Sequence, residues 1–384
     1  MGSEMPQCSV DGIHRNLTIY TAQEFFFGDL EVVLITIALP VIFTVGLLCN
    51  GAFMFVVARV PSMRTDTNIY LVNLAFSDIL FLLALLINYL AKYLNYQVRT
   101  AHSAVPDCFL YNLTLYTTHF AGLALISVTS LERYIAVCHP LRRRVMGGRD
   151  RTVRLVVTCW ISALIFAALM LPGFAKYQEY CVKWPEDITN HPKYQNLPTV
   201  VYICEPVDDW AYQMLYLTQT LPFTVVFLLN VYFYTRIVLR LHKRHVVKKR
   251  RSAIRTRNQV AVMLVANGTV FFLALSCFET VSLILFFEHT LGTFFIPDHV
   301  RPPLLAAGKI LLYINAAINP LVYTVFNSHY RRAFVEAFKM SRRSIKLPKP
   351  IPLTGGLFHR SSETGSPDNQ PAKQAIPSVS VSLQ

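Results

Sequence analysis

The chain has 384 residues, of which 53% are hydrophobic and only 15% are charged, whereas a soluble domain carries about a quarter charged residues. The charged residues are concentrated between apolar blocks of about twenty residues or more, the length that a helix needs to cross a bilayer, and this pattern excludes a soluble globular protein. A net charge of +14 is typical of a protein that binds nucleic acid or an anionic membrane surface, and the apolar blocks favour the membrane. The eight cysteines are scattered along the chain, which excludes a disulfide-stapled secreted domain.

The segment before the first apolar block, residues 1–29, is predicted to be an extracellular N-terminus. Residues 1–24 contain no continuous apolar core of a cleavable signal peptide, so we expect the first span to act as the insertion signal. Asn16 begins an Asn-Leu-Thr glycosylation acceptor, which agrees with an extracellular position. The same pattern at Asn112 and Asn267 falls inside apolar blocks, where we interpret it as a chance match.

Seven apolar blocks follow along the chain, and each is long enough to cross about 30 Å of hydrocarbon as a helix. Helices are required because lipid cannot satisfy open backbone polar groups. The predicted spans are residues 30–58, 67–94, 106–138, 152–172, 210–240, 259–288 and 303–326. The predicted fold is therefore an all-α membrane protein, a seven-transmembrane helix bundle over residues 30–326.

Lysine and arginine predict the orientation of this bundle. They are concentrated between the third and fourth spans, between the fifth and sixth, and after the seventh, whereas the opposite loops carry mixed charge. The positive-inside rule then places the N-terminus outside and the C-terminus in the cytoplasm of a multi-pass cell-membrane protein.

Two further segments follow the seventh span. Residues 327–340 alternate basic and apolar side chains, which predicts a short amphipathic eighth helix lying under the membrane. Residues 341–384 are rich in Ser, Pro, Gly and Gln, a composition that predicts a disordered cytoplasmic tail.

Polar residues inside apolar spans are costly and usually functional. Asn50, Asp78, Asn315 and Asn319 lie in the first, second and seventh spans. A buried carboxylate with amides nearby can hold a sodium ion or a proton. A hydrogen-bonded packing cluster is the alternative, and the pattern alone does not choose between them.

The triplet Glu132, Arg133 and Tyr134 lies where the third span meets a basic loop. An acid beside an arginine at a membrane edge can form an ion pair that breaks when a protein switches state. Snorkelling of an interfacial arginine is the commoner explanation for such a residue taken alone.

In their order along the chain, these residues resemble the motifs of rhodopsin-like (class A) G-protein-coupled receptors. Each motif alone is weak, but their order and their depth in six of the seven spans are very specific, and the resemblance covers about residues 28–340. The matching residues are Asn50, Asn73-Leu74-Ala75-Phe76-Ser77-Asp78, Glu132-Arg133-Tyr134, Cys138-His139-Pro140-Leu141, Trp160, Pro222 and Asn319-Pro320-Leu321-Val322-Tyr323.

The resemblance implies a receptor that binds an extracellular ligand and activates a heterotrimeric G protein. It implies that Arg133 leaves Glu132 on activation and meets the G protein, with Tyr323 as its partner in the active state. The residues of the implied sodium-binding network are Asn50, Asp78, Asn315 and Asn319.

The serine-rich tail predicts arrestin as a further partner. Phosphorylation would create an acidic run able to bind a basic face of arrestin, although a linker that happens to be serine-rich is the alternative. The hydroxyl residues concerned are Ser361, Ser362, Thr364, Ser366, Ser378, Ser380 and Ser382.

The chain departs from the family pattern at four positions. In the sixth span Leu275 takes the place of the usual tryptophan and Cys277 that of the usual proline, so we expect a less kinked helix. Asn230 replaces a tyrosine that commonly partners Arg133, and Gly122 removes a hydroxyl often found near the sodium ion. These departures concern the switch and the sodium site, not the seven-helix architecture.

The resemblance also implies a disulfide between Cys108 and the second extracellular loop, where Cys181 and Cys204 compete. Cys204 is favoured because its surroundings resemble the loop of FMRFamide-like and thyrotropin-releasing-hormone-like peptide receptors. We consider Cys8 with Cys181 as a second bridge. The segments 177–184 and 199–204 have a β-forming composition and predict a hairpin lid.

Two ligand classes of the family are disfavoured by position. Leu115 stands where amine receptors need an aspartate, and Tyr313 stands where light-sensing pigments need a lysine. The stretches 63–71 and 257–264 resemble the same peptide-receptor branch, so the predicted ligand is a neuropeptide, with an amidated RF-type peptide as the first choice.

Glu279 and Lys309 are the charged candidates for this ligand. They either bind opposite ends of the peptide, with Glu279 taking an arginine or an amide, or form a mutual salt bridge. The weaker pocket candidates, each of which is equally consistent with a core position, are Tyr116, His119, Asn88 and Tyr313.

There are three alternatives to a peptide receptor. A class A receptor for a non-peptide ligand shares every motif above. A seven-helix transporter is disfavoured because neither inverted repeats nor paired broken helices are visible. An enzyme or a metal protein is disfavoured because no nucleophile motif or metal-ligand spacing stands above background.

Overall fold

In a computed structural model of the chain, the described residues are 12–96, 98–101, 104–142, 148–189, 197–246, 252–297 and 299–343. Among them, seven helices are long and apolar enough to cross a membrane. These spans are Asp29–Arg59, Asp66–Asn95, Val105–Cys138, Arg149–Gly173, Asp209–His242, Gln259–Leu291 and Arg301–Phe326. The predicted seven-helix bundle is therefore confirmed.

Some helices run beyond the predicted spans. The helices that contain the fifth and sixth spans extend over Asp209–Val246 and Ser252–Leu291, whereas hydropathy placed the corresponding spans at 210–240 and 259–288. Hydropathy detects only the part of a helix that lies in hydrocarbon, while the backbone hydrogen bonds continue into the charged residues beyond it.

The first and third spans each contain a wider, π-helical turn beside a proline. In the first span this turn is Leu34–Ala38, between the α-helical segments Asp29–Val33 and Leu39–Arg59, and Pro40 follows it. In the third span the turn is Ala104–Leu110, which includes Pro106 and leads into the α-helix Tyr111–Cys138. A proline has no N–H to donate, and we attribute the wider turns to that missing hydrogen bond.

The third span is the centre of the bundle, since it packs against the second, fourth, fifth and sixth spans. The first span packs against the second and the seventh. The largest buried cluster joins the second, third, fourth, fifth and sixth spans. Its side chains include Leu74, Phe120, Leu125, Phe223 and Phe272.

One end of the bundle, here called the lid end, carries a three-stranded sheet. Strand β1 is Ile13–Asn16, β2 is Lys176–Lys183 and β3 is Val200–Glu205, in the order β1-β2-β3. β2 and β3 are antiparallel, with Tyr177 opposite Cys204, so the predicted hairpin lid is confirmed. β1 pairs in parallel with β2 and was not predicted.

The sheet has an aromatic core of its own. Phe25, which follows the short helix Ile19–Gln23, packs edge-on against Trp184 at 6.1 Å between ring centroids. Trp184 Nε1 donates to the carbonyl of Pro198 at 2.7 Å. The N-terminal segment is thus part of the lid.

The opposite end, here called the basic end, is where the third span ends at Cys138 and the fourth begins at Arg149. The helix Ser328–Arg343 follows the seventh span there, and its buried side includes Tyr330, Ala333 and Ala337. The tail predicted to be disordered begins at residue 341, but residues 341–343 are the last turn of this helix, and the rest of the tail lies outside the described residues.

Gly46 allows the first span to pack closely against its neighbours. A Cβ atom at this position would lie 2.5 Å from Cδ1 of Leu82 and 3.3 Å from Cα of Ala317. A Cβ atom at Gly51, on the same helix, would have nothing within 4 Å.

We therefore predict that Gly46→Ala lowers the free energy of unfolding by about 1 to 3 kcal/mol, because it overpacks a filled core. The matched control, Gly51→Ala, should be neutral or stabilising by up to about 1 kcal/mol, since alanine favours helix more than glycine does. Melting temperatures of the two purified variants give the comparison, and equal values would contradict the close packing at Gly46.

Candidate functional site

A cavity of about 500 Å³ lies under the lid, lined by residues from every span except the fourth. Aromatic and aliphatic side chains make most of its wall, as in ligand pockets generally. Five of the six predicted ligand candidates line it. They are Asn88, Tyr116, His119, Lys309 and Tyr313.

The β-hairpin closes over this cavity. Cys108 and Cys204 form a disulfide, which confirms the predicted pair. The Ala101 N–H donates to the carbonyl of Tyr202 at 2.7 Å, and the Tyr202 N–H donates to Thr100 Oγ1 at 3.1 Å, so residues 100 and 101 hold β3 at Tyr202. Tyr202, Ile203 and Cys204 contribute to the cavity wall.

Cys181, in the strand next to β3, is also disulfide-bonded. The predicted partner, Cys8, lies outside the described residues. Cys181 therefore does not compete with Cys204 for Cys108.

Tyr180 joins all three strands of the lid. Its hydroxyl donates to a carboxylate oxygen of Glu205 on β3, and the guanidinium of Arg15 on β1 lies 4.7 Å from the ring centroid. Burial, followed by the hydrogen bond to Glu205, raises the pKa of Tyr180 to about 12. The hydroxyl therefore remains a donor at neutral pH.

Glu279 is buried beside the cavity, with 2% of its surface exposed. Gln219 Nε2 donates to Glu279 Oε1 at 2.6 Å, and His119 Nε2 lies 3.7 Å from the same oxygen. The alternative of a salt bridge with Lys309 is wrong for this structure, because no ion pair joins the two among the described residues. They lie on different helices, and Glu279 faces the fifth and third spans.

Lys309 lines the cavity one turn outward of Tyr313 and also lines a neighbouring cavity of about 840 Å³. Within the described part of the chain it has no acidic partner. The structure thus separates the two charged candidates, one buried among polar side chains and the other on the wall.

The predicted polar network lies in the middle of the bundle, and all four residues are buried. Asn319 Nδ2 donates to Asp78 Oδ2 at 2.8 Å, which joins the seventh span to the second. Asn50 Nδ2 donates to the carbonyl of Ala316 at 3.0 Å, which joins the first span to the seventh. Asn315 is buried one turn outward of Asn319, and its Oδ1 has no hydrogen-bond partner among the described residues.

At the basic end, Glu132 forms an ion pair with Arg151 of the fourth span, at 2.6 Å. Arg133 donates to the Thr67 hydroxyl of the second span. The acid and the arginine of the triplet therefore each have a partner on a different helix.

The tyrosines of the basic end form two groups. Tyr134 lies 3.5 Å from the Tyr232 hydroxyl and stacks on Phe233. Tyr323 packs edge-on against Phe53 at 5.4 Å and against Tyr330 at 6.1 Å, and it is 1% exposed.

At Asn230, where the family has a tyrosine, the side chain donates to Ser127 Oγ at 3.3 Å and to the Val226 carbonyl at 2.8 Å. One turn further, the hydroxyl of Tyr234 lies 2.7 Å from Ser130 Oγ. Asn230 and Tyr234 therefore both join the fifth span to the third in this region.

The family model described as 7 transmembrane receptor (rhodopsin family) matches residues 49–323, which is more than half of the chain. The chain belongs to this rhodopsin family of receptors. The predicted class A G-protein-coupled receptor is thereby confirmed, and the family is one of receptors, not of enzymes.

The receptor has curated relatives among the neuromedin-U receptors. It is 24% identical to neuromedin-U receptor 2 of Rattus norvegicus over 318 residues, or 78% of this chain and 74% of the relative. Neuromedin-U receptor 1 of Mus musculus is 28% identical over 350 residues, or 85% and 77%. The neuromedin U receptor homolog nmur-2 of Caenorhabditis elegans is 26% identical over 357 residues, or 86% of each chain.

Two residues of the receptor's site escaped the sequence reasoning. Gln219 is a polar residue inside an apolar span, three residues before Pro222. The rule that identified Asp78, that a polar residue within a span is usually functional, would also have selected Gln219. Arg151 had no such signal, because it stands among other arginines at the start of the fourth span.

Asn267 of the sixth span is a buried amide at the basic end, with 1% of its surface exposed. Neither Oδ1 nor Nδ2 has a hydrogen-bond partner among the described residues. One turn before it, Met263 packs in the cluster that contains Tyr323, whose hydroxyl also has none there. Unpaired polar groups on two helices make this packing less stable than an apolar equivalent would be.

We predict that Asn267→Leu stabilises the receptor by roughly 1 to 3 kcal/mol, because it removes two unpaired buried groups and keeps the branched shape of the side chain. Asn50→Leu is the control, since the Asn50 amide donates to the Gly46 and Ala316 carbonyls and its loss should destabilise. Melting temperatures that fall in both variants would show that Asn267 has a partner in solution.

Proposed function

We propose that this receptor binds an extracellular neuropeptide in the cavity under the lid and activates a heterotrimeric G protein at the basic end. The observation that carries the proposal is the cavity itself. It is covered by a disulfide-tethered hairpin, it has Lys309 on its wall without an acidic partner among the described residues, and the buried acid Glu279 lies behind its wall residue Gln219. Opposite charges at different depths suit the two ends of a peptide.

The names of the relatives support a peptide ligand. All three described above are named as neuromedin U receptors or a homolog of one. Aromatic candidates such as Tyr116 and Tyr313, which line the same cavity, would contact the peptide's apolar side chains.

We infer that the lid end faces the outside of the cell membrane and the basic end the cytoplasm. The positive-inside rule supports this orientation, because the loop between the third and fourth spans is arginine-rich. Asn16 lies on the exposed strand β1, where a glycan would find space.

The central network is proposed to hold a sodium ion at Asp78 in the resting state. The residues fit an oxygen-seeking cation, because Asn50 Oδ1 and Asn315 Oδ1 are buried oxygens without a hydrogen-bond partner among the described residues. Asn319 Nδ2 holds the Asp78 carboxylate in place from the seventh span.

The switch is proposed to work at the basic end. When the helices separate, Arg133 would leave the Thr67 hydroxyl and contact the G protein. Tyr323, which follows Asn319 and Pro320, would leave its aromatic packing and contact Arg133. The ion pair of Glu132 with Arg151 ties the third span to the fourth in the closed arrangement.

A peptide-library screen on cells that express the receptor, read by calcium release through a promiscuous G protein, tests the proposal. We expect an active peptide at nanomolar concentration, and we expect Arg133→Ala to abolish the response, because it removes the residue that meets the G protein. Surface staining controls for expression. A receptor that reaches the surface and responds to no peptide would contradict the peptide ligand and favour the non-peptide alternative.

Arrestin is proposed as a second cytoplasmic partner through the tail beyond Arg343. Replacing the seven tail residues from Ser361 to Ser382 with alanine should abolish agonist-driven arrestin recruitment, because the phosphates that bind basic side chains would be lost. G-protein signalling of the same variant is the control and should persist. Unchanged recruitment would show that the tail is only a linker.

A further inference from the structure

Two buried oxygens beside the cavity accept no hydrogen bond. Glu279 Oε2 and Gln219 Oε1 have no partner among the described residues, although Gln219 Nε2 donates to the other carboxylate oxygen at 2.6 Å. Both side chains are buried, with 2% and 4% of their surface exposed. An unpaired acceptor in a dry interior is costly, above all on a carboxylate, so this pair is suited to receive donors from elsewhere.

The pair borders the innermost part of the cavity. Along the third span the cavity wall begins at Asp107 and ends at His119. His119 Nε2 lies 3.2 Å from Gln219 Nε2, and Gln219 itself belongs to the wall. Tyr116 lines the wall about one turn nearer the lid, so a group that reaches this depth from the lid passes Tyr116.

The chemistry of the open atoms specifies the group. Both atoms are acceptors, so the ligand must donate. Glu279 has one ion-pair partner within the described residues, the histidine His119, so a permanent cation from the ligand would neutralise the carboxylate. A guanidinium carries five N–H donors in a planar fork and can bond two oxygens at once, whereas an ammonium is a strongly hydrated point charge.

We propose that Glu279 and Gln219 form a receptor site for the guanidinium of an arginine side chain, with N–H groups directed at Glu279 Oε2 and at Gln219 Oε1. This inference rests on the proposed peptide function and specifies which side chain enters the deepest part of the cavity. His119 is a positioning residue, since it lies against both site residues. Lys309 lies further out on the wall, where it would contact a part of the peptide that does not carry the guanidinium.

A binding experiment tests the site without the natural ligand. The probe is Nα-acetyl-arginine amide, its binding to the purified receptor in nanodiscs followed by saturation-transfer NMR on the side-chain methylene protons. Nα-acetyl-citrulline amide has nearly the same shape without the charge, and Nα-acetyl-lysine amide has the charge without the fork. We expect the arginine probe to bind about tenfold more tightly than either, because it alone supplies charge-assisted bonds to two oxygens.

Two variants locate the probe. Glu279→Gln keeps the shape of the side chain and removes its charge, and it should weaken binding of the arginine probe about tenfold. Asp107→Asn is the matched control, an acid in the outer wall of the same cavity, and should change binding by no more than about twofold because it lies about three helical turns from His119 along the third span. If Glu279→Gln does not fold, Gln219→Met removes the second acceptor at similar volume and should also weaken the probe. Equal binding of arginine and citrulline, or loss in Asp107→Asn alone, would overturn the site.

A second readout separates this inference from the proposed function. Each peptide that activates the receptor is resynthesised with citrulline in place of arginine, and we expect its potency to fall about a hundredfold through the loss of charge-assisted bonds. A peptide whose potency survives that exchange overturns the guanidinium site and leaves the peptide receptor intact. Specific binding of the arginine probe to a receptor that no peptide activates would support the guanidinium site and contradict the peptide receptor.

Discussion

Lipid offers no hydrogen-bond partner to a polar group, and the arrangement of this receptor follows from that constraint. Within each span the backbone bonds to itself, which is why the seven apolar segments are helices. Polar side chains find partners either in carbonyl groups of their own helix or on other helices. Asn319 finds Asp78 at 2.8 Å, and Trp160 Nε1 finds Asn73 Oδ1 at 3.2 Å, so the seventh, second and fourth spans are held in a fixed relation to one another.

Where a buried polar atom has no hydrogen-bond partner among the described residues, it can accept or donate a bond to a ligand or in another conformation. The unpaired atoms of Glu279 and Gln219 lie beside the ligand cavity, and those of Asn267 and Tyr323 lie at the basic end. Between them the polar network around Asp78 is bonded across the helices. Among the described residues, unpaired buried atoms therefore occur beside the cavity, in the central network (Asn50 Oδ1 and Asn315 Oδ1) and at the basic end, and a ligand that pairs one set can shift the balance of conformations elsewhere.

The lid follows different rules, because it lies outside the spans. Its stability comes from a short sheet, the disulfide of Cys108 with Cys204, and the packing of Phe25 on Trp184. The strand β1 adds the N-terminal segment to the hairpin. The lid is thereby built from three parts of the chain that are distant in sequence.

Local patterns were sufficient to predict much of this. Hydropathy predicted the seven spans, β-forming composition predicted the hairpin, and the family resemblance implied the bridge between Cys108 and Cys204. Five of the six candidate ligand residues line the cavity. Each of these depends on a short stretch of sequence or on a motif that stands at a known depth in its helix.

Other features depended on how each helix is rotated about its axis and which face meets which neighbour. The pairing of Glu279 with Gln219 instead of Lys309, the ion pair of Glu132 with Arg151, and the parallel pairing of β1 with β2 join segments far apart in sequence. The sequence by itself determined that the chain crosses the membrane seven times and which polar residues lie at each depth. Only the tertiary structure decided which of them touch, because contact between helices depends on the packing of whole helix faces and not on any one residue's neighbours along the chain.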